Sequence, residues 1–266
     1  MEKRWDGYVY LGIVYPKLFE HANSGEGPIT ETLSKLLYDS FFTAVEVAWI
    51  RDEATRKRVR DMLKASQMEV LYNGAPPIRG MGINLCSLDA DLRKRSVDNF
   101  KKVIDEAYFL GAKVLHCVSG NDPGPSKRAE AKRNLVDSLR QLCRYAQVNS
   151  TDYTLMVSLE NSDRDVDRKA LLGPTTETVE VAREVHLDFK NFGILLDQGH
   201  FPLMKEDPRE SLHMCKDLLT HVHIGNCYSR DSSKPYFGDK HLPFGFPDSD
   251  VGVEEKIGRA SCRERV

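Results

Sequence analysis

Seven short apolar runs, each of strand length, alternate with stretches of helical periodicity along this chain, and that alternation constrains its fold more than any other feature. The runs occupy 8–15 (YVYLGIVY), 44–50 (AVEVAWI), 69–72 (EVLY), 113–118 (KVLHCV), 154–159 (TLMVSL), 192–196 (FGILL) and 221–225 (HVHIG). Between them the spacing predicts helices over 30–40, 52–66, 92–110, 126–149, 176–185 and 208–219, with a long Gly/Pro loop over 73–84. Strands that are apolar throughout, rather than alternating, belong to a parallel sheet covered on both faces. A doubly wound open sheet is the rival arrangement. It lacks its usual mark here, because Gly12 is followed by Ile-Val-Tyr-Pro instead of a GxGxxG turn. Eight such units close a (β/α)8 barrel. The predicted class is therefore α/β, a (β/α)8 TIM barrel that stops after its seventh strand.

The eighth unit is displaced by an unusual tail. Residues 256–266 (KIGRASCRERV) carry four basic residues and no core pattern, and they resemble an in-frame translation of a common sequencing adapter. Setting them aside as non-native leaves residues 1–255 as a single barrel domain, incomplete at its C-terminus. The net charge of -2, from 38 Lys+Arg against 40 Asp+Glu, argues against a broad basic face for nucleic acid. No apolar run approaches the roughly 20 residues of a membrane span, and the polar start Met1 to Asp6 is unlike a signal peptide. Six scattered cysteines (86, 117, 143, 215, 227 and 262) form no CxxC pair and read as reduced thiols of a cytoplasmic protein.

In barrels of this kind the active site is built at the C-terminal ends of the strands. Polar residues gather there: Asn73 after the third run, His116 in the fourth, Glu160 after the fifth, Asp197 and His200 after the sixth, and His221 and His223 in the seventh. Each alone is more often a cap, a surface charge or a satisfied core group. Together, a Glu, an Asp and a His at the same end of three successive strands converge on one point and suit Mn²⁺, Mg²⁺, Co²⁺ or Zn²⁺. His221 and His223 share a face, and His223, nearer the strand end, is the favoured ligand. Glu46, in register with Ala44 and Ala48, is a candidate polar contact inside the barrel. The long polar segment 227–245 is expected to cover the mouth with its aromatics and to supply Asp239 and His241, spaced D-x-H. The stretch 163–168 (DRDVDR) is expected to reach over the substrate through Asp163 or Arg164.

SLEN at 158–161, LLDQGH at 195–200, HVHIGN at 221–226 and GDKH at 238–241 resemble the sugar-phosphate isomerase/epimerase superfamily of xylose-isomerase-like barrels. INLCSLDADLRKRSVDNF (83–100) and GAKVLHCVSG (111–120) fit the same group, so the resemblance covers essentially 8–255. It implies a divalent metal, Mn²⁺ first, held by Glu160, Asp197 and His223. It further implies an enzyme in which Glu160 moves a proton beside a ketose carbonyl and the metal stabilises a cis-enediolate. His116, His200, Arg230, Asp239 and His241 are the implied substrate-binding residues. The family's fourth ligand, a Glu ending strand eight, has no counterpart in this sequence, so impaired catalysis is expected of the chain as it stands.

Two other readings are open at this level. The superfamily includes the endonuclease IV type of abasic-site nuclease, whose three-zinc ligands would correspond to His116, Glu160, Asp197, His200, His223, Asp239 and His241, but with Asn73 where that group has a His. The near-neutral charge weighs against it. A non-catalytic carbohydrate-binding or regulatory barrel is the third. The expected partner is thus a small carbohydrate, not nucleic acid or membrane, with self-assembly left open.

Overall fold

The computed structural model describes residues 9–251; Tyr8, which begins the first apolar run, and the whole of 256–266 lie outside them. Seven parallel strands pair in sequence order, β1 to β7: Gly12–Val14, Ala44–Val47, Glu69–Asn73, Val114–Val118, Met156–Glu160, Phe192–Asp197 and Leu219–His223. Helices α1 (Tyr15–Leu18), α2 (Ile29–Leu37), α3 (Glu53–Ser66), α4 (Ala75–Gly80), α5 (Ala90–Leu110), α6 (Arg128–Val148), α7 (Thr175–Asp188), α8 (Phe201–Met204) and α9 (Pro208–Cys215) fill the crossovers. This is the truncated barrel that the alternation predicts. Among the described residues β1 and β7 are the two edges, yet the sheet curls so far that Glu46 of β2 bonds across the interior to His221 and His223 of β7.

The helices follow from local signals. Asp52 and Asp89 cap α3 and α5 by accepting backbone N–H bonds, each cap worth about 1 kcal/mol. α5 ends where Gly111 turns left-handed at φ 82°, a conformation that costs a Cβ-bearing residue about 1 kcal/mol or more. Its apolar stripe, Val97, Phe100, Ile104, Ala107 and Leu110, has helical spacing and is buried between the sheet and α3 and α6.

Three expectations are corrected. Residues 73–84 are not wholly loop: α4 forms there, with Pro76 and Pro77 in its first turn, where no N–H bond is required of them. The first strand shrinks to three residues because Tyr15-Pro16 starts a helix instead. The seventh runs two residues earlier than 221–225, so Ile224 and Gly225 leave the sheet.

Register decides what faces the interior. Along β6 and β7 the pairing jumps from Ile194–Leu219 to Leu195–His221, a bulge that passes over Thr220. Beyond it Asp197 stands level with His223, while the outward Val222 and Ile224 are 43% and 54% exposed. Thr220 and Ser158 share a hydrogen bond of 2.7 Å across the barrel floor. The five described cysteines are buried and unpaired, and no helix among the described residues is long and apolar enough to cross a membrane.

Phe100 is fully buried on α5, which packs against α3, α6 and β3. Phe100→Ala is expected to lower stability by about 3–5 kcal/mol in denaturant unfolding, and a change below about 1 kcal/mol would contradict the packing described.

Candidate active site and metal centre

Five strands deliver their last or nearly last residues to one point. Asn73 ends β3, Glu160 ends β5, Asp197 ends β6 and His223 ends β7, with His116 two residues before the end of β4. The parallel register pairs Asn73 with His116, and Asp197 with His223. Each Glu160, Asp197 and His223 offers a donor atom, and these atoms lie within 4.8 Å of one another, all on buried residues. A divalent ion with ligand bonds of roughly 2.0–2.6 Å fits such a set.

His223 is oriented from behind. Its Nε2 lies 2.8 Å from Glu46 Oε2, which leaves Nδ1 facing Glu160 Oε1 at 3.6 Å and Asp197 Oδ2 at 3.9 Å. Glu46 Oε2 also meets His221 Nε2 at 2.9 Å. These three side chains form a second cluster with ligand-like composition. Their direct contacts show a carboxylate hydrogen-bonded to two imidazoles, the arrangement that fixes a ligating histidine in its ring orientation. Glu46 therefore sits inside the barrel, as its alternation suggested, and acts on His223 rather than on a ligand.

Glu160 is 8% exposed. Its Oε2 is 3.0 Å from His116 Nε2, and His116 Nδ1 is 3.2 Å from Asn73 Oδ1. That amide oxygen also accepts the Ala75 N–H, so its identity as oxygen is fixed. Burial alone would raise the Glu160 carboxyl, but the charges and hydrogen bonds of His116 and His223, with His200, hold it well below the usual carboxylate range. Glu46 is depressed in the same way by His223 and His221. Conversely, burial would lower His223, yet Glu46 and Glu160 hold it well above the usual imidazole value.

The D-x-H segment joins the site from the loop after β7. Asp239 is bound by the Arg168 guanidinium, with Nε at 2.7 Å, and lies 3.9 Å from His200 Nε2 and 3.4 Å from His241 Nδ1. His200 Nε2 in turn is 3.8 Å from Glu160 Oε1. Two buried atoms here, Asp239 Oδ1 and His200 Nδ1, have no hydrogen-bond partner, the condition of donors shaped for a ligand. Gly225 makes the packing possible: a Cβ there would stand 2.8 Å from Asp197 Oδ1 and 3.3 Å from His241 Nδ1.

The structure thus brings together Glu160, Asp197, His223, His116, His200, Asp239 and His241. It does not bring Arg230 to them: that side chain is exposed, and its charge partners are Asp248 and Asp250. Of the loop aromatics, Tyr236 stacks between Tyr228 and Phe246, bracing the loop that carries Asp239. In 163–168 neither expected residue reaches in. Asp163 accepts the backbone N–H groups of Val166, Asp167 and Arg168, and Arg164 pairs with Glu177. The residue that arrives is Arg168, missed because its approach depends on how Asp163 folds that turn.

A family model described as xylose isomerase-like TIM barrel matches residues 36–255. A curated relative, a probable endonuclease 4 of Thermoplasma acidophilum, is 30% identical over 140 residues, 53% of this chain and 44% of that protein, so the match spans under half of the relative's length. Among solved structures, a D-tagatose 3-epimerase-like protein matches with a TM-score of 0.67 and 19% identity, covering 94% of this chain and 87% of its own. D-psicose 3-epimerase from Clostridium cellulolyticum H10 gives 0.65 and 17%, covering 85% and 78%. A probable 3-DHS dehydratase from Bacillus anthracis gives 0.67 and 17%, covering 96% and 90%. At such identities the likeness is one of fold.

A metal at His223 Nδ1 must displace a proton that Glu46 and Glu160 make tenacious. Divalent-metal affinity is therefore expected to rise with pH, by up to about tenfold per unit, from the ordinary imidazole value up to the raised one. Calorimetry in buffers of different ionisation enthalpy reads the proton released; an affinity flat over that interval would remove His223 from the ligand set. Gly225→Ala, which pushes on Asp197 and His241 together, is expected to weaken the same binding by about 10–100-fold with the fold retained.

Proposed function

The chain belongs to the xylose isomerase-like TIM-barrel family, and within it we propose a divalent-metal-dependent isomerase or epimerase that moves a proton through a cis-enediolate on a small ketose or related carbohydrate. The metal would be held by Glu160, Asp197 and His223. Two carboxylates and one imidazole suit Mn²⁺ ahead of Mg²⁺, Co²⁺ or Zn²⁺. When bound it supplies a Lewis acid for the carbonyl and hydroxyl oxygens of the sugar.

Glu160 is the base. Its Oε1 faces His223 Nδ1 at 3.6 Å, on the side where the metal would be held, and Oε2, oriented by His116 Nε2 at 3.0 Å, would receive the proton from the carbon beside the carbonyl. The depressed carboxyl is ionised at neutral pH, as a base must be. His200 and His241 stand on either side of Asp239, placed to hold sugar hydroxyls. The buried wall formed by β5 and β6 keeps bulk water from the reacting carbon. We assign the activity to the cytoplasm and to carbohydrate metabolism on the same reading.

The observation that carries this reading over its nearest rival is the state of His116. A nuclease-like zinc cluster needs His116 as a ligand beside a second histidine at position 73. Here position 73 is an asparagine, and His116 is engaged at both ring nitrogens, by Asn73 and by Glu160. It positions the base instead of holding an ion. The identity to a probable endonuclease 4, and the presence of His200, Asp239 and His241 in the mouth, favour the rival. Chelator-sensitive incision of an abasic-site duplex would decide for it.

Glu160→Gln keeps the shape and removes the base. Solvent deuterium exchange at the carbon beside the carbonyl, followed by NMR with Mn²⁺ replaced by Mg²⁺, is expected to fall by about 10²–10⁴-fold. Unaltered exchange would refute the assignment.

A further inference from the structure

Two loops meet beside the site by exchanging partners. Asp167-Arg168 lies between β5 and α7, and Asp239-Lys240 follows β7. The acid of each dyad pairs with the base of the other. Arg168 binds Asp239, while Lys240 Nζ reaches Asp167 Oδ1 at 3.1 Å and Oδ2 at 3.0 Å. The backbone takes part as well. Asp239 N–H donates to Asp167 Oδ2 at 3.1 Å, and Arg168 Nη2 donates to the Asp239 carbonyl at 3.1 Å. Gly238 leaves room for this contact. A Cβ there would stand 2.8 Å from both Cβ and Cγ of Asp167, and its φ of 97° is one that glycine adopts without strain.

The bonds of this clasp do different work. Lys240 is exposed and Asp167 half-buried, so their ion pair contributes little on its own. The bond to the Asp239 amide is another matter, because that residue's side chain belongs to the site: it lies 3.9 Å from His200 Nε2 and 3.4 Å from His241 Nδ1. The backbone on both sides is strained. Lys169, two residues after Asp167, has φ 53°, and His241, two residues after Asp239, has φ 50°. Left-handed backbone is unfavourable for a residue with a Cβ and persists where surrounding contacts over-determine it. Upstream, Gly238 is held by Tyr228. Arg168 holds the Asp239 side chain and carbonyl, and Asp167 holds the amide.

We propose that Asp167 is a positioning residue: through the Asp239 N–H it sets the placement of Asp239 and His241, and with it the binding of substrate hydroxyls rather than the proton transfer at Glu160. This rests on the isomerase reading, in which His200 and His241 hold those hydroxyls. Glu160 is tied to β4 and β7 through His116 and His223, so loss of the Asp167 contact leaves the base where it is. The two functions of the site are thus anchored separately, the base by strand residues and the hydroxyl-binding side by a contact between loops.

Solvent deuterium exchange into D-fructose, D-tagatose and D-psicose is followed by NMR at rising sugar concentration, with the full chain loaded with Mg²⁺, to give KM and kcat for proton abstraction. Amide hydrogen exchange, read by mass spectrometry on the same proteins, reports on residues 236–242. Asp167→Ala is expected to raise KM about tenfold with kcat within about threefold, and to speed amide exchange in that segment about tenfold while the strands are unchanged. Asp167→Asn keeps an acceptor for the Asp239 N–H and is expected to restore both to within about threefold. Lys240→Met, which removes the ion pair alone, is expected to do no more harm than that. Gly238→Ala crowds Asp167 away without altering it and is expected to repeat the rise in KM. Asp165→Ala, exposed on the same turn, should change neither quantity. A fall in kcat with KM unmoved, unaltered amide exchange in Asp167→Ala, or an Asn variant as impaired as the Ala variant would overturn the proposal. Failure of the isomerase reading looks different. Absence of deuterium exchange on all three sugars in the unaltered chain removes that reading, and the amide exchange then decides by itself whether Asp167 holds Asp239 in place.

Discussion

The imidazole of His223 is the joint on which this site depends. One nitrogen is held by Glu46 from β2 and the other faces the carboxylates of β5 and β6, so a single ring spans the interior from one end of the curled sheet toward the middle. Charge makes the joint firm. Two buried carboxylates would repel one another if nothing stood between them, and two buried imidazoles likewise; interleaved, each stabilises the ionised form of the other. The contacts continue outward from Glu160 to His116 on one side and through His200 and Asp239 to Arg168 on the other. Positions in the mouth are thus fixed by neighbours on different strands rather than by any one loop.

Support comes from elements that never touch a ligand. The loop after β7 is irregular but not loose. Asn226 donates to Pro243 O and accepts from Val251 N, Asp250 accepts from Ser229, and Tyr228 meets Gly238 in an isolated bridge. Those bonds aim Asp239 into the barrel. Across the mouth, Asp163 gathers three successive N–H groups into a turn and so sends Arg168 toward Asp239. Two loops distant in sequence meet in that ion pair.

Much of this was legible in the chain. Strand order, helix count in the main crossovers and the convergence of Glu160, Asp197 and His223 all follow from periodicity and from where polar residues interrupt it. Alternation made Glu46 a candidate for the interior, and its bonds to His221 and His223 put it there. What periodicity does not carry is the path of irregular backbone. Arg230 lies in the same loop as Asp239, yet it turns to Asp248 and Asp250, and nothing in its spacing distinguishes the two. Arg168 was hidden behind Asp163 and Arg164 for the same reason.

The bulge between β6 and β7 has a consequence for how such a site can be lost. The bulge doubles one inward position, so that Thr220 and His221 both face the interior, Thr220 toward Ser158 and His221 toward Glu46. Losing Thr220 would only restore regular pairing, with His221 still opposite Leu195 and His223 opposite Asp197, whereas losing Val222 beyond the bulge would set His223 opposite Leu196, on the outer side, and bring Ile224 level with Asp197. A chain altered in the second way would read, by composition and fold, as an intact member of its family while its candidate metal site had lost its imidazole to the outer face.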